Sequence, residues 1–240
     1  MMGIKYQLET IPVWDGITGS SECFLCDLMQ EAEQDSLRFY LGASVMNPET
    51  RIKVNNIGFC QKHTSMLVQS GSPNAMAVLW ESHFAETRKQ IEASLSELEN
   101  THNPKKTISK LSKIVTSRVK DPSNNCLICN RMEERLNRYC FTIPYLWGQD
   151  PNFREAFAKS KGFCLPHMTR ILELSLEALD SKQQKEFAKA MSLLQEKNLD
   201  RVAHDLWYMT EHYKSENINK PWNGCEDAQK RAVKKEIGKF

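Results

Sequence analysis

Four short cysteine motifs, arranged as two matched pairs, constrain this chain more than any other feature. Cys-x-x-Cys begins at positions 23 and 126, and Cys-x-x-His begins at positions 60 and 164. The two copies are offset by 103 residues for the first motif and by 104 for the second. A Gly-Phe pair precedes each Cys-x-x-His, at 58–59 and 162–163. We interpret this agreement as an internal duplication.

The residue types in these motifs are those of a metal site. Each copy offers three cysteines and one histidine, the donor set of a closed tetrahedral zinc site that leaves no position for a substrate. An iron–sulfur cluster with one histidine ligand uses the same residue types, so the spacing leaves that alternative open. We predict two metal ions, zinc before iron–sulfur, with the ligands Cys23, Cys26, Cys60, His63, Cys126, Cys129, Cys164 and His167.

The motifs can pair within a copy or be exchanged between copies. We expect pairing within a copy, Cys23 and Cys26 with Cys60 and His63, because the intervening loop is only a little over thirty residues long. A loop of over a hundred residues costs more closure entropy.

Polar stretches at 19–22 and 122–125 precede the Cys-x-x-Cys motifs, and helix-compatible runs follow them. The cysteines are therefore expected near helix N-termini, where free amides and the helix dipole favour the thiolate. Three thiolates around a divalent cation leave a net negative charge, and Lys62 and Arg131 are candidates to stabilise the sulfurs.

Composition and periodicity predict an all-α fold. The chain has only 10 Gly and 9 Pro among 240 residues, which disfavours a turn-rich β architecture. We expect two pseudo-symmetric helical lobes, residues 23–103 and 104–240, preceded by an extended arm over 1–22 in which residues 4–8 alternate apolar and polar. The second lobe carries an inserted helix near 181–198 and a C-terminal extension, and the lobes are compatible with packing as one domain.

Apolar spacing and capping residues give the predicted helices. Asn47 and Ser72 are predicted N-caps before prolines, Ser181 a further cap, and Pro144 a break. The predicted helices cover residues 26–41, 61–69, 73–99, 107–120, 126–141, 167–179, one from 151 and one from 181.

Charge and hydropathy bear on partners and location. The 32 basic residues nearly balance the 30 acidic ones, so nucleic acid is not the expected partner. No apolar run approaches the ~18 residues that a membrane span needs, and the first 22 residues contain no apolar signal core. We expect a cytoplasmic protein whose cysteines are thiols or ligands.

Six further residues have side chains that bind metals or react, but they lack motif spacing. His83, His102, His204 and His212 are expected to be ordinary hydrogen-bonded or surface residues, and Cys140 and Cys225 buried or redox-sensitive thiols. No phosphate loop, nucleophile elbow or paired carboxylates suggest a catalytic residue, so enzymatic activity is left open.

The segments 5–8 and 11–15, the Cys-x-x-Cys pairs and the two Gly-Phe-Cys-x-x-His segments resemble an uncharacterised family widespread in anaerobic Gram-positive bacteria. This resemblance implies a bacterial cytoplasmic protein and supports the eight ligand positions, and it implies no reaction.

The leading hypothesis is a helical scaffold with two structural zinc sites that binds or assembles with an unidentified protein or small ligand. An iron–sulfur redox or sensor protein is the main alternative. A DNA-binding regulator is the least supported, because the charges balance.

Overall fold

A computed structural model describes residues 9–119 and 126–238, and within these ranges the regular structure is entirely helical, as predicted. A short 3-10 helix covers Ala43–Met46. In the described ranges, no helix combines the length and the apolar character needed to cross a membrane. The α-helices there are α1 Thr10–Thr18, α2 Phe24–Leu41, α3 Pro48–Asn56, α4 Gln61–Gln69, α5 Pro73–Glu99, α6 Pro104–Val119, α7 Leu127–Gln149, α8 Pro151–Lys159, α9 Leu165–Ala178, α10 Ser181–His212 and α11 Ala228–Ile237.

Local capping chemistry sets most helix starts. The Asn47 side chain accepts hydrogen bonds from the amides of Glu49 and Thr50, which confirms it as the N-cap of α3. At α10 the cap lies one residue earlier than predicted. Asp180 forms a capping box with Gln183, and Ser181 is the first helical residue.

Pro144 does not break its helix, contrary to the prediction. α7 runs through it to Gln149. A proline inside a helix removes one hydrogen bond and crowds the preceding turn, at a cost of about 3 kcal/mol. The residues around Pro144 are buried, among them Phe141, Ile143 and Trp147, and their packing offsets that cost.

Residues 10–18, within the segment predicted to be an extended arm, are helical. α1 covers Thr10–Thr18, with Val13 and Ile17 buried one turn apart and Trp14 in edge-on contact with Phe153. The alternating residues 4–8 lie outside the described part of the chain. The four-residue spacing of Val13 and Ile17 is that of one face of a helix.

The chain divides into two compact units that do not follow its linear order. Unit one contains residues up to Glu31 and from Glu134 onward, whereas unit two contains Ala32–Glu133. The predicted lobes had bounds of 23–103 and 104–240. Unit two is thus a continuous stretch inserted between the two parts of unit one.

Aromatic side chains form the core of unit one. Phe157 contacts both Phe163 and Phe187, and Phe163 in turn contacts Phe24, with ring centroids 5.6–6.1 Å apart. Because Phe24 follows Cys23 and Phe163 precedes Cys164, these rings place the two cysteine segments beside each other.

Unit two has a mostly aliphatic core. Its buried residues come from α2, α3, α4, α5 and the start of α7, and include Leu37, Val54, Leu67, Leu79 and Ile128. A backbone hydrogen bond also connects the start of α7 to the Gly58 turn. In it, the Leu127 amide donates to the Gly58 carbonyl at 3.2 Å. This bond brings Cys126 next to the segment that carries Cys60.

Candidate metal centres

The eight predicted ligands form two groups of four. Within each group, the four donor atoms all lie within 4.8 Å of one another. Centre I consists of Cys23, Cys26, Cys164 and His167, and lies in unit one. Centre II consists of Cys60, His63, Cys126 and Cys129, and lies in unit two. Both groups could hold a metal ion.

The motifs are exchanged between the copies, so the predicted pairing within a copy is wrong. Each Cys-x-x-Cys meets the Cys-x-x-His of the other copy. The loop that closes centre I has 137 residues between Cys26 and Cys164, about four times the 33 between Cys26 and Cys60, and this difference costs only about 1 kcal/mol of closure entropy. Burying one large apolar side chain contributes about 1.5–3 kcal/mol, so packing of the cysteine segments decides the pairing.

Centre I has the dimensions of a tetrahedral site. The Cys164 Sγ lies 3.7 Å from the Sγ atoms of both Cys23 and Cys26. The His167 Nδ1 lies 3.4, 3.5 and 3.2 Å from the Sγ atoms of Cys23, Cys26 and Cys164. A zinc tetrahedron with bonds of ~2.3 Å to sulfur and ~2.0 Å to nitrogen has edges of about 3.5–3.8 Å.

Centre II repeats this arrangement with the same ring nitrogen. The His63 Nδ1 lies 3.1, 3.3 and 3.4 Å from the Sγ atoms of Cys60, Cys126 and Cys129. In both centres Nδ1 therefore faces the sulfurs.

All four motifs begin at helix N-termini, as predicted. Cys60 and Cys164 are the N-cap residues of α4 and α9, and Cys23 and Cys126 immediately precede α2 and α7. The His63 amide donates to the Cys60 Sγ at 3.3 Å. Helix amides and dipoles thus favour negative sulfur in both groups.

The glycine before each Cys-x-x-His adopts a left-handed conformation. Gly58 and Gly162 both have φ of 72°, which residues with a Cβ rarely adopt. At the second turn, Gln195 from α10 donates to the Phe163 carbonyl and accepts from its amide. Gln195 therefore holds the approach to Cys164, a role that no motif in the sequence indicated.

A buried carboxylate supports the histidine of centre II. The Glu33 side chain is 2% exposed, and its Oε1 lies 3.2 Å from the His63 Nε2 and 2.5 Å from the Lys62 Nζ. A carboxylate on the far nitrogen of a ligand histidine fixes the ring and raises its basicity. Lys62 is thus paired with Glu33, whereas the other predicted partner of the sulfurs, Arg131, stacks over the Phe39 ring at 4.5 Å.

Centre I is supported by a buried charge cluster. Glu22, the residue before Cys23, accepts a hydrogen bond from Arg201 at 2.6 Å and lies 3.7 Å from the Lys161 Nζ. Lys235 from α11 is 1% exposed and lies 3.3 Å from the Glu22 carboxylate. Three cations around one carboxylate give this surrounding a net positive charge, which suits an anionic metal–thiolate centre.

Burial and hydrogen bonds shift the sulfur and imidazole pKa values. Burial raises the pKa of Cys126, but hydrogen bonds from His63 and from backbone amides outweigh it and bring the pKa to about 6. Burial and the neighbouring Cys126 raise the pKa of Cys129 to about 12, and burial also raises that of Cys60. At centre I, burial opposes protonation of His167, but hydrogen bonds to Cys164 and Cys23 raise its pKa to about 9. A metal entering either centre must therefore displace protons.

The histidines outside the motifs have other contacts. The His83 Nδ1 lies 3.1 Å from the Val54 carbonyl oxygen, and the His212 ring stacks on Trp222 with centroids 3.6 Å apart. His102 and His204 are exposed. Of the remaining cysteines, Cys140 is fully buried, and the Cys225 Sγ lies 3.7 Å from the Asp205 Oδ1.

The described residues thus form an all-helical protein with two candidate metal centres. Each centre is a buried group of three cysteines and one histidine. The chain belongs to a family described as a family of unknown function (DUF6062), whose model matches residues 4–240. This match confirms the predicted membership of a family without an assigned activity. No curated protein and no solved structure matches the chain.

Proposed function

We propose that this protein binds one structural zinc ion at each centre and acts as a binding or assembly scaffold. The observation that carries the proposal is the spacing of the donor atoms, 3.1–3.7 Å between the measured pairs, which corresponds to the edges of a tetrahedron around a single ion.

The same spacing favours a single ion over an iron–sulfur cluster. A cluster lies between its protein ligands with several iron and sulfide atoms, and so holds the ligand atoms farther apart than one ion does. Three thiolates and one imidazole are also a ligand set that zinc prefers over the harder cations. Zinc would neutralise two of the three thiolate charges and fix the segments that carry them.

A structural role fits the coordination better than a catalytic one. Four protein donors complete a tetrahedron, whereas a catalytic zinc keeps one position for water or substrate. We propose that the helices held by the two ions present a surface to a protein partner or small ligand, and that nucleic acid is not the partner.

We propose a reducing cytoplasm as the setting. The eight cysteines are free of disulfides, and zinc–thiolate sites persist where thiols stay reduced. An anaerobic bacterial cytoplasm, which the sequence resemblance implies, meets this condition.

Elemental analysis of protein purified without oxygen tests the proposal. We expect two zinc ions per chain and a colourless solution. Fewer than two zinc ions per chain, or a brown solution containing iron and acid-labile sulfide, would overturn the zinc assignment.

Single substitutions assign the ions to their centres. Cys164→Ser should reduce the zinc content from two to one by emptying centre I, and Cys129→Ser should do the same at centre II. Cys225→Ser is the matched control, since Cys225 lies in neither group, and it should retain two ions. Equal zinc content in all three variants would contradict the ligand assignment.

A further inference from the structure

The two halves of centre I come from distant parts of the chain. Cys23 and Cys26 lie at the start of α2, and Cys164 and His167 at the start of α9. The last described helix, α11, packs against α9 and α10. Its residues contact the chain segments that carry both halves of the centre.

Lys235 joins the two ligand segments through a single ammonium group. Its Nζ donates to the Glu22 carbonyl at 2.6 Å and to the Lys161 carbonyl. Glu22 directly precedes Cys23, and Lys161 lies three residues before Cys164. The third contact, with the Glu22 carboxylate at 3.3 Å, supplies an acceptor for the remaining proton of the ammonium group.

The burial of Lys235 strengthens these hydrogen bonds. Lys235 is almost completely removed from solvent, where an ammonium group persists only if it is paired and hydrogen-bonded. Charge-assisted hydrogen bonds in such surroundings are stronger than neutral ones. Moving α11 away would break all three contacts together.

Two further contacts fasten α11 beside the sulfurs. The Lys234 Nζ lies 2.7 Å from the Oδ1 of Asp27, the residue after Cys26. At the end of the helix, a Cβ added to Gly238 would lie 3.3 Å from the Cys164 Sγ and 3.6 Å from the Cys26 Sγ. The backbone of Gly238 therefore covers two of the three sulfurs of centre I.

One sulfur ligand of centre II is more exposed to solvent than the sulfur ligands of centre I. Cys129 is only half-buried, and Lys62, which completes the Glu33 contact, has a side chain that is 63% exposed. The half-buried ligand of centre II is therefore a sulfur that a competing ligand can reach, whereas in centre I it is the His167 imidazole and all three sulfurs are buried.

We propose that α11 is a clamp on centre I and that Lys235 is its main positioning residue. Zinc leaves centre I only after α11 undocks, whereas it leaves centre II directly. The two ions consequently exchange at different rates. This inference rests on the proposed binding of two zinc ions.

The test is zinc release from the full-length, zinc-loaded protein into excess 4-(2-pyridylazo)resorcinol, which absorbs visible light when it binds zinc. We expect two phases of one zinc each, with the slow phase at least about 10-fold slower than the fast one. Cys129→Ser should remove the fast phase. Lys235→Met should accelerate the slow phase about 10-fold or more and leave the fast phase unchanged, as expected for the loss of charge-assisted hydrogen bonds.

Matched variants keep the test sharp. Lys230→Met removes an exposed lysine from the same helix and should change neither phase. Lys234→Met removes one partly exposed ion pair and should accelerate the slow phase only about 2–5-fold. If Lys235→Met does not fold, hydrogen exchange of residues 228–238 in the unaltered protein replaces it, and these amides should open at least as fast as the slow zinc is released.

The possible failures are distinguishable. Two zinc ions released in one phase, a slow phase unaffected by Lys235→Met, or slow-phase zinc that leaves faster than the α11 amides open would overturn the clamp while leaving the zinc sites intact. Fewer than two zinc ions per chain before the chelator is added would overturn the proposed function, and the clamp with it.

Discussion

Centres I and II have identical donor sets but different surroundings. Centre I adjoins the cationic cluster of Lys161, Arg201 and Lys235, and its half-buried ligand is the imidazole of His167. Centre II adjoins the carboxylate of Glu33, and its half-buried ligand is the thiolate of Cys129. A ligand motif therefore fixes which atoms bind the metal, whereas neighbouring charge and exposure set the metal affinity and the reactivity of the sulfurs.

Removal of both metals should have the largest effect. Apparent binding energies for structural zinc are on the order of 10 kcal/mol per ion in small peptides, comparable with the whole stability of a domain. We expect a strong chelator to unfold the chain at 37 °C, measured as loss of the helical circular dichroism signal. An unchanged melting temperature with the chelator present would show that the protein core, rather than the metal, holds both units.

The zinc affinity of centre II should fall steeply as the pH is lowered. With a pKa of about 6 for Cys126, about 12 for Cys129 and a raised value for Cys60, two of the three sulfurs bind protons between pH 7 and 9, and zinc must displace both. The zinc affinity should therefore rise about 100-fold per pH unit as the pH increases through this window.

Calorimetry with Cys164→Ser, which retains only centre II, measures this proton release in buffers of different ionisation enthalpy. We expect about two protons released per zinc at pH 7.5. Release of less than one proton would mean that the sulfurs of centre II are already thiolates before the metal binds.

Glu33→Gln should weaken zinc binding at centre II alone. The amide keeps the shape of the side chain but removes the charge that supports His63, so we expect a 10–100-fold loss of zinc affinity at centre II alone. Competition titration against a chelator of known affinity measures it. Asp35→Asn, on the same helix but partly exposed and paired with Arg38, is the control and should leave both affinities unchanged. A loss at centre I as well would contradict separate support of the two centres.

The rate of cysteine alkylation should differ least between the two centres. Because Cys129 is the only half-buried cysteine among the six motif cysteines, we expect iodoacetamide to modify it several-fold faster than Cys23, Cys26 or Cys164 in metal-loaded protein. Peptide mass spectrometry over time measures the order of modification. Equal rates at both centres would indicate that the two sites open together.

Most local signals in the sequence predicted helix positions well. Asn47 before Pro48 marks the start of α3, and the predicted bounds 61–69 and 73–99 coincide with α4 and α5. Capping and proline geometry act over a few residues, so the chain carries them explicitly. Pro144 and residues 10–18 were predicted wrongly because distant packing overrode the local preference.

The chain alone specifies the eight candidate donor residues, their division into four motifs and their location at helix N-termini, because these depend on residue type and short spacing. Long-range packing decides which motifs meet, since the contact of Phe24 with Phe163 and the bond from Leu127 to Gly58 outweigh a closure entropy of about 1 kcal/mol. It also decided the supporting residues Glu33, Gln195 and Lys235. Their contacts with the ligand segments form between stretches about 30 to more than 200 residues apart, a range over which no local pattern carries information.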